Sequence, residues 1–349
     1  MAVVAVILAA VCQQADGAAI KHYKTAVDSD CVWQATSEGL MQYDKQIGGF
    51  KVYSTEKYRD ITSVAVAEDG KVAIGGNANT GLALFDNGVF TPIESGAADL
   101  QNISAMEYAS GLWVGASHKM LHETQNGWAT FDSPSPTAAN YSFQTLAWSE
   151  KDKRMWFGVS SSSIGMKLGY VDDEGMHFIE ESNQNVNSIA VQEDGSVIVA
   201  TDNGMWICRD GKMDAFETPV SAVAAKCTSV AVNGSMVWYG AETDLVVRGE
   251  NGKFQKYSYK DADSQAGTDY IVSIVPDKET VWVTFLYAGL MKFEDGEFVK
   301  AASGITNITA ESDRENDMVY DIRGIKVKDV DSNSRILIRN GKKYITPSR

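Results

Sequence analysis

The sequence contains little of the material from which disulfide frameworks and metal centres are built, with four cysteines and four histidines in 349 residues. Basic residues are also few: 31 Lys and Arg stand against 46 Asp and Glu, a net charge of −15, which excludes a general nucleic-acid binder. The apolar run at residues 2–11 is ten residues long, too short as a helix to cross a hydrocarbon layer of about 30 Å. We therefore expect no nucleic-acid partner and no transmembrane anchor.

The apolar run near the start instead predicts a secretory leader. It is followed by polar Gln13 and Gln14 and by small residues through Ala19, the order of a hydrophobic region and its cleavage site. We expect residues 1–19 to be a signal peptide and the protein to be secreted or held at the cell surface. A lipoprotein modified at Cys12 is the alternative, although Val11 is larger than the residue that usually precedes a lipidated cysteine.

The three cysteines beyond the leader are predicted to be core residues. Cys31, Cys208 and Cys227 each lie in an apolar, strand-like stretch, and their odd number and irregular spacing form no disulfide framework. A bridge between Cys208 and Cys227 is an alternative that the spacing leaves open.

An internal repeat indicates the fold. A four-residue apolar segment recurs seven times, and its second position falls at residues 33, 73, 113, 156, 198, 238 and 282, at intervals of 40 to 44 residues. So even a period is typical of propeller blades. We predict an all-β fold, a seven-bladed β-propeller of four-stranded antiparallel blades over residues 20–305. Large side chains at the second position are expected to fill the core between blades: Trp33, Trp113, Trp156, Trp238 and Trp282.

Each repeat contains four strand-like stretches separated by turn signals. In the second repeat the first stretch is Ile61–Val66, the third is Gly81–Phe85 and the fourth is Phe90–Ile93, with the apolar segment as the second. Asn or Asp followed by Gly separates the third stretch from the fourth in five repeats, and such pairs favour the positive φ angles of tight hairpins. Hairpins of this kind exclude a parallel solenoid.

The repeat resembles that of the two-component-regulator propeller family, whose units combine an Asp-Gly turn, a Trp-x-Gly-Thr stretch and a Gly-Leu pair before an aromatic residue. Asp69-Gly70, Trp113-Val114-Gly115 and Gly81–Phe85 carry the resemblance, as do Trp238-Tyr239-Gly240 and Gly289–Phe293. The resemblance implies a propeller that works outside the cytoplasm, as a sensor region or as part of a surface protein.

The composition changes after the last repeat. Residues 306–317 are polar and acidic, which predicts a linker, and residues 318–349 contain short strand-like stretches that predict a small C-terminal β module. Val319–Val327 and Asn340–Lys343 resemble the sorting domain of type IX secretion cargo. The resemblance implies an outer-membrane secretion apparatus as partner of the tail. An ordinary basic tail that docks on the acidic propeller is the alternative, because residues 323–349 carry eight Lys or Arg against two acidic residues.

No motif for catalysis or metal binding stands out. The sequence lacks a Gly-x-Ser-x-Gly elbow and a phosphate-binding glycine loop, and paired carboxylates such as Glu68-Asp69 fall in turns. His118 and His122 would lie roughly 13 Å apart along a strand, too far to share one ion. We predict no metal, no cofactor and no catalytic residue, although the sequence leaves enzymatic activity open.

Binding is the function that the sequence favours. Tight hairpins occupy one face of the predicted propeller, and irregular connections such as Glu56–Asp60, Ser133–Asn140, Ser160–Gly165 and Lys260–Thr268 occupy the other. Irregular loops on a rigid scaffold are common recognition sites. The candidate ligand-binding residues on this face are Tyr58, Arg59, Asn77, Asn140, Tyr141, Tyr270, Phe285 and Tyr287.

Together these features predict an exported, non-catalytic binding or scaffold protein of the cell envelope. Aromatic faces beside Asn and Arg suit a polysaccharide or a peptide, so the expected partner is a polysaccharide, an envelope protein or a type IX secretion component. The alternative is a propeller-type polysaccharide lyase or glycosidase that uses carboxylates and tyrosines of the loops.

Overall fold

Strands make up the regular secondary structure that the computed structural model assigns to this chain. The structure describes residues 19–95, 100, 102–134, 141–162, 164–165, 167–217, 226–259 and 269–301, and the backbone alone at residues 4–6, 319–321, 326–327, 336–339 and 342–345. The predicted linker and nearly all of the predicted signal peptide lie outside these residues. Within them, no helix could span a membrane.

Seven antiparallel sheets of consecutive strands follow one another along the chain. Each sheet of four consecutive strands is one blade, and blade 1 gains a fifth strand, β1 (Val4–Val6), at its outer edge. Blade 1 consists of β2 (His22–Val27), β3 (Cys31–Thr36), β4 (Gly39–Asp44) and β5 (Gly49–Ser54), and blade 2 consists of β6 (Ile61–Val66), β7 (Val72–Gly76), β8 (Leu82–Asp86) and β9 (Val89–Pro92). Blade 3 consists of β10 (Ala105–Tyr108), β11 (Leu112–Gly115), β12 (Lys119–Thr124) and β13 (Gly127–Asp132). Blades 4 and 5 are β14 (Ser142–Ser149), β15 (Arg154–Ser160), β16 (Leu168–Asp172) and β17 (Gly175–Phe178); and β18 (Val186–Val191), β19 (Val197–Thr201), β20 (Gly204–Arg209) and β21 (Lys212–Ala215). Blades 6 and 7 are β22 (Cys227–Asn233), β23 (Met236–Ala241), β24 (Asp244–Arg248) and β25 (Phe254–Ser258); and β26 (Ile271–Asp277), β27 (Thr280–Phe285), β28 (Gly289–Glu294) and β29 (Glu297–Lys300).

The seven sheets close into a ring. The first strand of each blade contacts the first strand of the next, and β26 of blade 7 contacts β2 of blade 1. The innermost strands therefore surround a central channel, and the fold is the predicted seven-bladed β-propeller. We call the interface between neighbouring blades a seam. The upper face carries the blade-to-blade connections and the turns between second and third strands; the lower face carries the other turns.

Aromatic and aliphatic side chains fill the seams. The five tryptophans of the repeat are buried, as predicted, and Trp33 of blade 1 meets Phe85 of blade 2 edge to face, with ring centroids 5.6 Å apart. Glycines in the second strands let the next blade approach. A Cβ on Gly75 would lie 2.4 Å from Cγ2 of Ile103 in blade 3, and one on Gly158 would lie 2.3 Å from Cγ1 of Val186 in blade 5. The glycine two residues after the tryptophan position of the repeat is thus a site at which the next blade makes contact.

Hydrogen bonds join the innermost strands near the upper face. In most blades a β-bulge follows the first residue of the innermost strand. Near the start of the innermost strand of four blades, a short polar side chain donates to a main-chain carbonyl of the next blade. These bonds are Thr62 to Ile103, Ser104 to Phe143, Asn187 to Cys227 and Thr228 to Ile271, with donor–acceptor distances of 2.5 to 2.8 Å.

The seam that closes the ring has an apolar core in which Tyr43 of blade 1 contacts Trp282 of blade 7, and it also carries polar side chains near the upper face. Thr284 of blade 7 shares a 2.7 Å hydrogen bond with the hydroxyl of Thr25 and accepts one from Gln34 Nε2 at 3.0 Å. His22 lies at the same seam, 2 % exposed, and its main-chain N–H donates to the Leu286 carbonyl of blade 7. Below these residues, Lys45 and Asp277 form an ion pair at 2.7 Å. Each blade draws its four strands from one continuous segment, so the ring is closed by noncovalent contacts across this seam.

The local predictions agree with the structure. Asn87-Gly88, Asp210-Gly211 and Asp295-Gly296 all have positive φ angles in tight hairpins between third and fourth strands. Cys31, Cys208 and Cys227 are buried thiols that form no disulfide with one another, which confirms the core prediction and excludes the Cys208–Cys227 bridge. Burial raises the pKa of Cys208 to about 11 and that of Cys227 to about 12.

A four-stranded antiparallel sheet follows the propeller in sequence. Its strands are β30 (Val319–Asp321), β31 (Lys326–Val327), β32 (Ile336–Arg339) and β33 (Lys342–Ile345), in the order β31-β30-β32-β33. Arg339 of β32 pairs with Lys342 of β33. The predicted small C-terminal β module is therefore present.

Candidate functional site

A hydrogen-bonded group of side chains lies on the upper face between blades 1 and 2. Tyr23 occupies the position at which other blades have a short donor, and its hydroxyl donates to Asp60 Oδ1 at 3.0 Å. Asn77, in the turn after β7, donates to Asp60 Oδ2 at 3.4 Å. We call Tyr23, Asp60 and Asn77 the Asp60 cluster. It joins an innermost strand, a blade connection and a turn at the mouth of the channel.

Backbone geometry and main-chain hydrogen bonds also hold the Asp60 cluster in place. Asp60 has a φ of 49°, in the left-handed region, and its N–H donates to the Ser37 carbonyl at 3.1 Å. Non-glycine residues in this region are uncommon and concentrate at functional sites. Asn77 Oδ1 accepts from the N–H groups of Asn79 and Thr80, which closes its turn. The carboxylate is thus held in one orientation.

Two further tyrosines approach the Asp60 cluster from blade 7. The pKa of Tyr23 lies well above its ordinary value, mainly because the phenol is desolvated, then because Asp60 is close, and to a smaller extent because Tyr287 and Tyr270 are near. The Tyr23 hydroxyl therefore stays protonated near neutral pH and acts as a donor. Tyr270 is 38 % exposed, so part of its ring remains open to solvent.

Asp269 holds the two blade 7 tyrosines in place. Its carboxylate is 7 % exposed and accepts from the main-chain N–H groups of Tyr270 at 3.0 Å and of Tyr287 and Ala288 at 2.9 Å. Three charge-assisted bonds to one buried carboxylate fix the start of blade 7 and the turn between β27 and β28 relative to each other. The tyrosines are therefore part of a pre-formed surface.

Comparisons with known proteins find likeness in structure alone. No family model matches the chain, and no curated protein matches its sequence. A virginiamycin B lyase from Staphylococcus aureus superposes with a TM-score of 0.63 at 14 % identity, over 78 % of this chain and 94 % of that chain. The WD40 β-propeller domain of Doa1 gives 0.59 at 13 % identity, over 78 % and 92 %. The shared property is the propeller fold.

The RRP9 WD40 repeats add a third match, with a TM-score of 0.58 at 12 % identity over 81 % of this chain and 90 % of that chain. Identities this low carry no site and no activity from one propeller to another. The function of this propeller has to be argued from its own residues.

Two polar residues predicted from sequence lie at the Asp60 cluster. Asn77 is a member of it, and Arg59 precedes Asp60 in the same connection. The Arg59 guanidinium lies 3.5 Å from the Glu38 carboxylate, with 63 % and 44 % of the two side chains exposed, so the pair contributes little stability and leaves both groups accessible. Tyr270 and Tyr287 complete the group that the fold brings together.

Three of the predicted aromatic residues are core residues instead. Tyr58 is 6 % exposed and stacks on Phe90 at 4.5 Å between ring centroids, and Tyr141 is 1 % exposed between His118 and Phe143. Phe285 is 1 % exposed and packs on Phe298. Loops over a propeller need apolar side chains to seal the ends of the seams, and these rings do so. Asn140 lies outside the described residues.

Sequence reasoning missed Tyr23, Asp60 and Asp269. Asp60 ends a connection that the sequence singles out, but the contact with Tyr23 joins residues 37 positions apart in two repeats. One signal was available. Tyr23 stands where Thr62 and Thr228 stand in their repeats, and a large aromatic residue at a position that four other repeats fill with a short donor marks a special site.

The innermost strands also carry two isolated charges. Lys24 takes the place of Ser63, and Glu107 takes the place of Ala65. Burial lowers the pKa of Lys24 and raises that of Glu107 to about 7. Neither forms an ion pair with another residue in the described part of the chain. In that same part, no three His, Cys, Asp or Glu side chains come together as a metal site would require.

Proposed function

We propose that this chain is an exported, non-catalytic binding protein of the cell envelope that holds a neutral polysaccharide at the Asp60 cluster. The observation that supports the proposal best is the fixed carboxylate of Asp60, which accepts from Tyr23, a residue whose neighbourhood also contains the partly exposed Tyr270 of blade 7. Sugar hydroxyls bind to carboxylate and amide groups, and the apolar faces of sugar rings lie against aromatic rings. A pre-formed group of this kind binds without the entropic cost of ordering loops.

The charge of the protein favours a neutral ligand. A net charge of −15 repels a polyanionic polysaccharide, and the Asp60 cluster adds a carboxylate at the contact itself. Arg59 does not reverse this, because its charge is opposed by Glu38.

The state of Tyr23 supports binding in preference to catalysis. A general base works best when its pKa is close to the ambient pH. The pKa of Tyr23 is displaced upward, away from that range, because the phenol is buried and next to Asp60. The pair is therefore suited to donate and accept hydrogen bonds and is poorly suited to abstract a proton.

A glycan array combined with a turnover assay tests this function. Asp60→Asn should weaken binding to the best neutral glycan at least tenfold, because an amide replaces the fixed carboxylate. Asp30→Asn is the matched control, since Asp30 is an exposed residue of the same blade on the lower face, and its binding should equal that of the wild type. Cleavage of a glycan by the wild type, lost on changing Asp60 or Tyr270, would show that the protein is a lyase or glycosidase.

We also propose that the C-terminal β module directs the propeller to an outer-membrane secretion apparatus. Support comes from the sequence motif at Val319–Val327 and from the four-stranded sheet of β30 to β33. Deletion of residues 318–349 should leave the propeller inside the outer membrane of a host with type IX secretion, whereas the full chain should reach the surface. Surface display of the truncated chain would contradict this role.

A further inference from the structure

The arrangement of the Asp60 cluster occurs a second time on the upper face. Asp202, in the turn between β19 and β20, accepts from Asn185 Nδ2 at 3.2 Å and from Asn187 Nδ2 at 3.1 Å. We call these three residues the Asp202 cluster. As in the Asp60 cluster, one residue comes from a blade connection, one from the second position of an innermost strand and one from a turn after a second strand. The two clusters, on blades 1–2 and on blade 5, lie three blades apart around the ring in either direction.

Two lysines border the Asp202 cluster. Lys167 Nζ donates to Asn185 Oδ1 at 2.7 Å, and Lys226 Nζ lies 3.4 Å from Asp202 Oδ1. Burial by itself raises the pKa of Asp202, but the hydrogen bonds from Asn187 and Asn185 and the Lys226 ammonium together lower it. The carboxylate therefore stays ionised. Its side chain is 40 % exposed, so it can still accept from a ligand.

A small cavity lies under the connection from blade 4 to blade 5, which leads into this cluster, although no residue of the cluster lines it. It has a volume of about 20 Å³ and is lined by residues that adjoin the cluster in sequence, among them Gln184, Val186 and Thr201, and by the indole of Trp206. This is the space of one water molecule or one hydroxyl group. The indole Nε1 of Trp206 is buried and has no hydrogen-bond partner among the described residues. A buried N–H donor without a partner is unfavourable by about 1–3 kcal/mol, so an oxygen atom at this place stabilises it.

We infer that the Asp202 cluster and the cavity beside Trp206 form a second saccharide subsite, which binds another unit of the same neutral polysaccharide. The inference rests on the proposed function and adds that the ligand is long enough to reach both clusters. One sugar hydroxyl enters the cavity and accepts from Trp206 Nε1, and a neighbouring hydroxyl donates to Asp202. Because two subsites on one rigid ring bind one chain, a ligand that reaches both binds more tightly than one that reaches only the first.

Titration calorimetry with short and long oligosaccharides tests the inference. The probes are the di- and hexasaccharides of cellulose, laminarin, starch, xylan and mannan. Trp206→Phe keeps the ring and removes the N–H donor, and Asp202→Asn removes the charge. Each should weaken the best hexasaccharide about fivefold, the effect of one hydrogen bond of about 1 kcal/mol, and leave the disaccharide unchanged. Trp128→Phe and Asp132→Asn are the matched controls, since both residues lie on β13 of blade 3, away from the cavity, and Asp132 is exposed.

The outcomes separate this inference from the proposed function. Unchanged hexasaccharide affinity in both variants would overturn the second subsite and leave the first intact. Equal loss for the disaccharide and the hexasaccharide would also overturn it, because the residues would then not act through ligand length. If no probe binds to the wild type, the proposed function fails, and the second subsite fails with it. Thermal unfolding midpoints equal to that of the wild type show that the variants are folded.

Discussion

The second-strand glycines are the residues at which neighbouring blades come closest. Gly75→Ala would place a methyl group 2.4 Å from Ile103 Cγ2, a side chain that is fully buried and has no space to move into. Overpacking of this kind destabilises proteins by about 1–3 kcal/mol. We predict a loss of that size in the free energy of unfolding, measured by urea denaturation.

Gly165→Ala is the control for this prediction. No atom lies within 4 Å of the methyl group that it would add, and the backbone there is outside the left-handed region. Its free energy of unfolding should equal that of the wild type. Equal stabilities of Gly75→Ala and Gly165→Ala would show that the seams are looser than described.

A second residue-scale prediction concerns Glu107, the isolated carboxyl of blade 3. Its pKa is raised to about 7 by burial, so the folded protein binds its proton more tightly than the unfolded chain does. Stability is therefore lost as the pH rises from about 4.5 through 7. Glu107→Gln should raise the unfolding free energy at pH 8 by about 1–3 kcal/mol and leave it unchanged at pH 4. A gain of equal size at both pH values would contradict the assigned burial.

At this scale the sequence predicts the core better than the site. The repeated Trp residues and the three cysteines are identified correctly because a repeat shows each position seven times. Tyr58, Tyr141 and Phe285 were misassigned because an aromatic residue in a loop reads the same whether it seals a seam or faces solvent. The partnership of Tyr23 with Asp60 depends on how two blades meet, which no local pattern encodes.

At the scale of strands and blades, the seam between blades 7 and 1 gives a pH dependence. The pKa of His22 is lowered to about 4, first because the ring is buried and also because the Lys300 ammonium is near, although Gln34 opposes the shift. Below about pH 6.5 the imidazole of His22 is protonated in the unfolded chain, whereas in the folded protein it stays neutral down to about pH 4. Acidification from pH 7 to pH 5 should reduce the contribution of His22 to stability by about 2 kcal/mol.

The His22 effect is measured against His22→Asn, because Glu107 acts in the opposite direction over the same pH range. In the wild type the two contributions nearly cancel between pH 5 and 6.5. The stability difference between wild type and His22→Asn should fall by about 2 kcal/mol from pH 7 to pH 5. A difference that stays constant with pH would mean that His22 is not buried as a neutral ring.

Strand limits were predictable to within one or two residues, whereas the chemistry of the closing seam was not. Asn-Gly and Asp-Gly pairs mark the hairpins, and β18, β20 and β28 begin where the repeat places them. At other seams a glycine of the second strand contacts an aliphatic side chain of the next blade, as Gly75 contacts Ile103, so the repeat predicts apolar contacts at every seam. Thr284, Gln34 and His22 depart from the repeat together, and only the closed ring shows that they are neighbours.

At the scale of the whole molecule, the ring makes one surface out of distant parts of the sequence. Tyr23, Asp60 and Asn77 meet on the upper face, and the first strand of blade 7, which follows Tyr270, lies against the strand that carries Tyr23. The same closure places the Asp202 cluster on the same face as the Asp60 cluster. A single extended polymer that lies across this face is therefore a better fit than a small ligand enclosed in a pocket.

A crystal structure of the full chain with a bound neutral hexasaccharide tests this account most directly. We predict that the sugar lies across the upper face, with one ring against Tyr270, a hydroxyl hydrogen-bonded to Asp60 and the chain extending toward Trp206. An intact sugar bound on the lower face, or a sugar cleaved at the Asp60 cluster, would contradict the claim that this face is a non-catalytic polysaccharide-binding surface.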